Sequence, residues 1–312
     1  MLSLYIVPFV LAYVFFTGTP VIYCLMFLAM GLGMAGIGMN VAHDANHGST
    51  SRSPIVNRLL GASLYLIGVD KTIWQKEHNV EHHTYTNIEG LDTDISVPLI
   101  LRFSPHQKLR WIHRLQYIYS WFLYSLVTLR WATIGDFTRH WKTYREGSAQ
   151  ELWGGLLKIT AWKVFYHALH WGIPVFVMGV SPLVALFAML SLHFTAGTIL
   201  GIIFQTAHIM PGSAFPTPDD ADQIDAHWAI HQMETTCNYA LNSRIFSWFV
   251  GGLNYQIEHH LFPRISHLHY PKISHIVRKT AKEYGITYRT YGSFWDALVA
   301  HGRYLKQLGR EA

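Results

Sequence analysis

The sequence predicts an all-α integral membrane protein. Four transmembrane helices form two hairpins, joined by interfacial helices to a cytosolic helical cap holding a histidine-rich dinuclear metal site. Three observations carry this prediction. Half of the 312 residues are apolar and only 14% are charged, whereas soluble domains carry about a quarter charged residues. Apolar runs come in two pairs, each pair split by a short break containing Gly and Pro. Three histidine clusters, drawn from 20 histidines in all, lie between and after these pairs.

Residues 2–16 and 21–42 form the first pair, around Thr17-Gly18-Thr19-Pro20. A span needs about 20 apolar residues, which the second run supplies and the first approaches. Gly31, Gly33, Gly36 and Gly38 recur along the second run, and small residues let helices approach closely in lipid. Residues 59–69 are apolar but too short to cross, so they read as an interfacial or re-entrant segment. Residues 102–145 mix Arg, Lys, Trp and Tyr with aliphatics, the composition of a surface helix with an aromatic belt. The second pair, 156–179 and 182–205, turns at Gly179-Val180-Ser181-Pro182. His167, His170 and His193 fall within it and read as buried, hydrogen-bonded structural residues.

The stretch from Pro211 to Asp220 is rich in Pro and Gly and reads as a connecting loop. Residues 271–312 hold two amphipathic helical patterns parted near Gly285, and Ser293 with Asp296 forms a capping box for the second. Cys24 and Cys237 lie in dissimilar surroundings and suggest neither a disulfide nor a thiolate metal site. No internal repeat or long linker divides the chain, so 1–312 reads as one domain. Of the 24 Lys and Arg residues, 12 lie in 43–155, ten lie after 205, and Lys158 and Lys163 open the third run. The positive-inside tendency therefore places 43–155, 206–312 and both termini on the cytoplasmic face of a multi-pass protein. A formal charge of +5 suits an anionic lipid surface or substrate head group. Without a basic repeat or a binding motif, nucleic acid is not an expected partner.

The chemistry lies in the histidines. His43 and His47 are four residues apart, as are His78 and His82, with His83 following; His259 and His260 are adjacent. Positions four apart share a helix face, and neutral imidazole is the commonest metal ligand. Seven clustered imidazoles exceed the four ligands of a tetrahedral ion, so two metals sharing them is the economical arrangement. A metal-bound imidazole normally needs an acceptor at its second nitrogen; Asp44, Glu81, Asp92, Asp94 and Glu258 are the nearby candidates. Imidazole suits zinc, copper, iron and nickel alike, but oxidation of an unactivated lipid chain would require a redox metal. A histidine-rich metal transporter is the reading from another class. It would place ligands along a path through the bilayer, whereas these clusters sit outside the apolar runs.

The trio His43–His47, His78–His82–His83 and Gln256–His259–His260, in this order around two apolar hairpins, resembles the membrane-bound fatty acid desaturase family over the chain to about residue 290. The segment Asn254-Tyr255-Gln256-Ile257-Glu258-His259-His260-Leu261-Phe262-Pro263 is similar to the front-end branch, which inserts a double bond between an existing one and the carboxyl end. The resemblance implies a di-iron centre, molecular oxygen as co-substrate and an acyl-CoA or acyl-lipid (phospholipid) substrate in the bilayer. It also implies an isolated ligand after the fourth span, at His208, and no catalytic residue beyond the metal ligands. Gln256 is then a weak metal ligand or holds a bound water, and His227 and His231 are supporting residues. The fused cytochrome of many front-end relatives carries a His-Pro-Gly-Gly motif that is not found here. Two electrons per turnover would thus come from a separate carrier, a ferredoxin or b-type cytochrome. Basic residues in 102–114 and 139–145 could dock it, or could be ordinary membrane-surface charge. A lipid hydroxylase or ketolase with the same metal core is the alternative enzyme, distinguished by oxygen retained in the product.

Overall fold

A computed structural model describes residues 1–96, 99–219, 223, 224 and 226–311. Asp220 and Ala312, the last residues of the expected loop and tail, lie outside the described residues. Helix α1 (Leu2–Phe15) turns into α2 (Pro20–His47), and the interfacial α3 (Pro54–Ile67) follows. Then come α4 (71–85), α5 (111–125), α6 (127–144), α7 (149–176) and α8 (Pro182–His208). Beyond these lie α9 (Trp228–Thr235), strand β1 (Asn238–Tyr239), α10 (Arg244–Phe249), α11 (Gln256–Leu261) and α12 (Tyr270–Glu283). Strand β2 (Thr290–Tyr291) and α13 (Phe294–Leu308) complete the chain. The strands pair in parallel, Asn238 opposite Thr290.

Among the described residues, α2 and α8 are long and apolar enough to cross a membrane. Helix α7 begins at Ala149, before the expected 156, because Ser148 caps it by accepting a hydrogen bond from the Glu151 N–H at 3.2 Å. The stretch 102–145 is not one helix. Its first residues are non-helical, and the rest is divided at Leu126 into α5 and α6. At its start the Arg102 guanidinium donates to the carbonyls of Pro105, Gln107, Leu308 and Glu311. These contacts hold 102–107 in an irregular turn.

The chain forms two compact units. The first comprises Met1–Asn46, Ser53–Trp74 and Phe122–Gly201. Glycines set its helix contacts, as expected where packing rather than hydrophobic collapse holds helices together. A Cβ on Gly33 would stand 2.5 Å from the Tyr5 nitrogen, and one on Gly197 would meet the backbone of Ser125. The outward faces keep Val7, Val14, Val21, Leu157, Phe165 and Phe187 exposed, the inverse of a soluble surface. Inside, Lys163 pairs with Asp136 and donates to the Gly68 and Trp131 carbonyls. A buried charge needs such saturation. The three histidines of the expected second hairpin are likewise bonded: His170 to Tyr5 at 2.7 Å, His193 to Tyr166 at 3.2 Å, and His167 to the Ala132 carbonyl at 3.1 Å.

The second unit comprises His47–Arg52, Gln75–Trp121 and Ile202–Ala312. Met233, Ile257, Val277 and Ala281 form a core beneath α9, α11 and α12. Gly285, at φ +69°, stops α12 in the left-handed conformation that glycine adopts without strain. The Ser293–Asp296 capping box opens α13. That helix docks through His301, whose Nδ1 meets the Ile209 carbonyl at 2.8 Å, and through Gln116, which donates to the Leu305 carbonyl.

Candidate metal centre

Helix α4 contains a π-turn over Lys76–His82. An α-helical reading leaves His83 one step around from His78 and His82. The wider π-turn instead brings His83 back toward His78: their Nε2 atoms lie 3.3 Å apart, and the His78 and His82 rings are 5.4 Å apart. Such insertions are uncommon and concentrate at functional sites. His208 is the last residue of α8. His259 and His260 lie on α11, which Asn238 anchors by accepting from the Ile257 N–H at 2.9 Å.

Within the second unit these segments converge. Ligand-capable nitrogens of His82, His208 and His260 lie within 4.8 Å of one another, as do those of His83, His259 and His260, and those of His47, His78 and His259. All are buried or nearly so. His43 belongs to the first unit, one turn before His47 on α2; its ring lies 5.9 Å from Trp74, and its Nδ1 3.5 Å from Asp44.

Each ring of the first trio is held by its other nitrogen. His82 Nδ1 meets Asp92 at 3.1 Å and Asp94 at 3.5 Å. His208 Nδ1 meets the Thr235 carbonyl at 3.2 Å, and His260 Nδ1 meets Gln232 Oε1 at 2.8 Å. An acceptor at Nδ1 keeps the proton there and leaves Nε2 as a lone-pair donor, the tautomer a metal requires. Among the described residues, Nε2 of His82 and of His260 has no hydrogen-bond partner although fully buried. Buried polar atoms are seldom left so; a cation between these rings would satisfy them, so the donor set fits a metal.

Electrostatics agree. Burial, reinforced by neighbouring imidazoles, pushes His260 well below the usual histidine range, which keeps it neutral. At His82 burial also opposes charge, but Asp92 and then Asp94 outweigh it and raise the ring to about 9. That field favours a cation at His82, whether proton or metal.

Other predicted residues fall differently. Gln256 is buried, with Nε2 3.1 Å from His208 Nε2. Glu258 bonds Asn238 at 2.8 Å and Tyr288 at 3.0 Å, and burial lifts it to about 7; His259 Nδ1 instead meets the Tyr270 hydroxyl at 3.3 Å. Glu81 is half-buried on the π-turn. His227 caps α9 by accepting from the Ala229 N–H, and His231 lies buried on that helix. Gln232, Thr235 and Tyr270 escape a reading of the sequence because each is a lone polar residue far from the ring it orients.

Buried imidazoles gathered from four segments, three of them held by an acceptor at Nδ1, make a histidine group able to bind a metal in a mostly helical chain with two long apolar helices. Comparison with known proteins narrows the class. A sequence model of the fatty acid desaturase family matches residues 18–292, and the chain belongs to that family. It is 37% identical over 286 residues to an sn-1 linoleoyl-lipid 6-desaturase of Arthrospira platensis, covering 90% of this chain and 76% of that one. It is 34% identical over 307 residues to an sn-1 linoleoyl-lipid 6-desaturase of a Synechocystis species, covering 96% and 85%. It is 35% identical over 304 residues to an acyl-lipid (8-3)-desaturase of Physcomitrium patens, covering 95% of this chain and 62% of that relative. The chain is an oxidoreductase, a desaturase of fatty acyl chains.

Proposed function

We propose that this chain is a multi-pass, oxygen-dependent front-end desaturase whose histidines hold two irons and whose substrate is an acyl chain esterified to a lipid. The observation that carries the metal reading is the convergence of the His82, His208 and His260 nitrogens, with each Nδ1 engaged elsewhere. In this reading His43, His47, His78, His82, His83, His208, His259 and His260 are the iron ligands. Gln256, beside His208, ligates weakly or holds water. When bound, iron supplies the redox capacity that removal of two unactivated hydrogens demands. The chain's own part is to keep His260 neutral, place a cation-favouring carboxylate field behind His82, hold the Nδ1 atoms of the trio on acceptors and exclude water by burial. The relatives named linoleoyl-lipid 6- and acyl-lipid (8-3)-desaturases support an acyl-lipid substrate desaturated toward the carboxyl end. The distribution of Lys and Arg supports four spans, α1, α2, α7 and α8, with the ligands on the cytoplasmic side. Electrons come from a separate ferredoxin or b-type cytochrome.

The test is expression in a host supplied with defined fatty acids, followed by mapping of new double bonds. The expected result is an added alkene on the carboxyl side of an existing one, with iron in the purified protein. His82→Ala or His260→Ala should abolish product while the protein still inserts. Full activity in either variant, or an oxygenated product, overturns the reading.

A further inference from the structure

Gln232 is fully buried on α9, away from every histidine cluster in the sequence. Its Nε2 donates to the His83 carbonyl at 3.1 Å. A carbonyl can only accept, so this contact fixes which end of the amide carries the hydrogens. Oε1 must then face His260, and it does, at 2.8 Å from Nδ1. The Thr86 hydroxyl is also near, 3.1 Å from Oε1, but it lies closer, at 2.8 Å, to the His82 carbonyl. With the threonine proton given to that carbonyl, the ring N–H donates to Oε1, the nearer of its two acceptors, the Thr86 oxygen lying 3.3 Å from the same Nδ1. The chain of donors therefore runs one way, and it ends with the lone pair of His260 on Nε2. Three residues on, the Thr235 carbonyl performs the same service for His208.

We propose that Gln232 is a positioning residue: its amide sets the tautomer of His260 and ties that ring to the backbone of the 78–83 cluster. The inference rests on the metal reading above. It assigns α9 the role of a bracket, with Gln232 and Thr235 one turn apart orienting two rings of the same trio. A neutral amide suits the task, since it accepts at the ring without burying another charge.

The test is a Co(II) titration of the metal-free protein in detergent, read by visible absorption and by bound metal after gel filtration. Gln232→Leu preserves volume but cannot accept, whereas Gln232→Glu keeps an oxygen facing the ring. The leucine variant should bind cobalt 10–100-fold more weakly, the loss typical when a ligand's orienting partner is removed. The glutamate variant, which keeps an acceptor at the ring but loses the donor to the His83 carbonyl, should regain part of that loss and bind several-fold more tightly than the leucine variant. A merely structural role predicts the reverse, because a buried carboxylate disturbs packing more than leucine does. Wild-type affinity in Gln232→Leu, or equal loss in both variants, overturns the inference. If Gln232→Leu yields no folded protein, Gln232→Met, also unable to accept from the ring at that position, is read the same way. Failure of the wild-type protein to bind cobalt would overturn the metal reading itself, a result distinct from wild-type binding that Gln232→Leu leaves unchanged.

Discussion

Replacing Asp92 by Asn tests whether the carboxylate behind His82 sustains metal binding. Asp92 is fully buried and accepts four contacts. Oδ1 meets His82 Nδ1 at 3.1 Å and the Asp94 N–H at 2.9 Å; Oδ2 meets His82 Nδ1 at 3.3 Å and the Asn87 N–H at 2.8 Å. Because each oxygen already accepts a backbone N–H, an amide here sets its NH₂ against a donor whichever way it flips. The substitution thus removes both the charge and one acceptor. The rise of His82 from 6.5 to about 9 corresponds to about 3 kcal/mol favouring a cation there, net of burial, at about 1.36 kcal/mol per unit. Asp92 supplies the larger part of the field. The metal affinity of Asp92→Asn should therefore fall 10–100-fold, or about 1.4–2.7 kcal/mol, with turnover falling in parallel. Asp94→Asn is the control: its carboxylate is 3.5 Å away and 38% exposed, so solvent screening limits its effect to under about 1 kcal/mol. Competition titration with a chromophoric chelator measures both variants. Affinity within twofold of wild type in Asp92→Asn, or a larger loss in Asp94→Asn, refutes the reasoning.

Two further outcomes follow from the fold. Gly197→Ala places a methyl group against the Ser125 backbone, and backbone cannot yield as a flexible side chain does. The variant should lose about 1–3 kcal/mol, seen as a lower melting temperature in detergent; an unchanged transition would mean that α8 does not pack as described. Burial lowers His301 to about 4, so its neutral form contributes stability that is complete above the unfolded value of about 6.5 and is lost as pH falls from there toward 4, about 3 kcal/mol in all. Gln at this position keeps an N–H for the Ile209 carbonyl but does not titrate. Wild type should therefore destabilise more steeply than His301→Gln between pH 6.5 and 4, and parallel melting curves would refute this.

The clustered histidines of the candidate site were legible because a helical site imposes a short spacing: two rings four residues apart share a face, and the pattern survives in one dimension. The two long apolar helices were legible for a related reason, since lipid demands an unbroken run. What the sequence did not reveal depends on contacts between distant segments. The π-turn that swings His83 toward His78 leaves no mark in composition. Glu258 looked like an acceptor for its neighbour His259, yet it faces Asn238 and Tyr288, because adjacent residues on a helix point about 100° apart. Residues 102–145 looked like a single surface helix because basic, aromatic and aliphatic residues alternate throughout; the Arg102 contacts that hold its first residues in a turn reach across more than 200 residues.

The same distinction explains how the site keeps its geometry. Its donors come from four separate segments, so no single helix can hold them in register. Their orienting groups share that dispersion but sit on backbone that is itself pinned. Asp92 closes its own loop through two N–H contacts. Asn87, in the left-handed conformation at φ 60°, donates to the carbonyls of His208, Ala214 and Thr235. Its side chain therefore joins the loop after the second cluster to the end of α8 and the end of α9. A non-glycine residue persists in that conformation only when its surroundings hold it there. Of the acceptors behind His82, His208 and His260, only those at His82 are carboxylates; the others are a backbone carbonyl and an amide. Neutral acceptors fix a tautomer without the desolvation cost of another buried charge, so a fully buried trio can be ordered before any metal arrives. On this reading, losing an acceptor loosens the metal more than it unfolds the chain, whereas losing an Asn87 contact should do both.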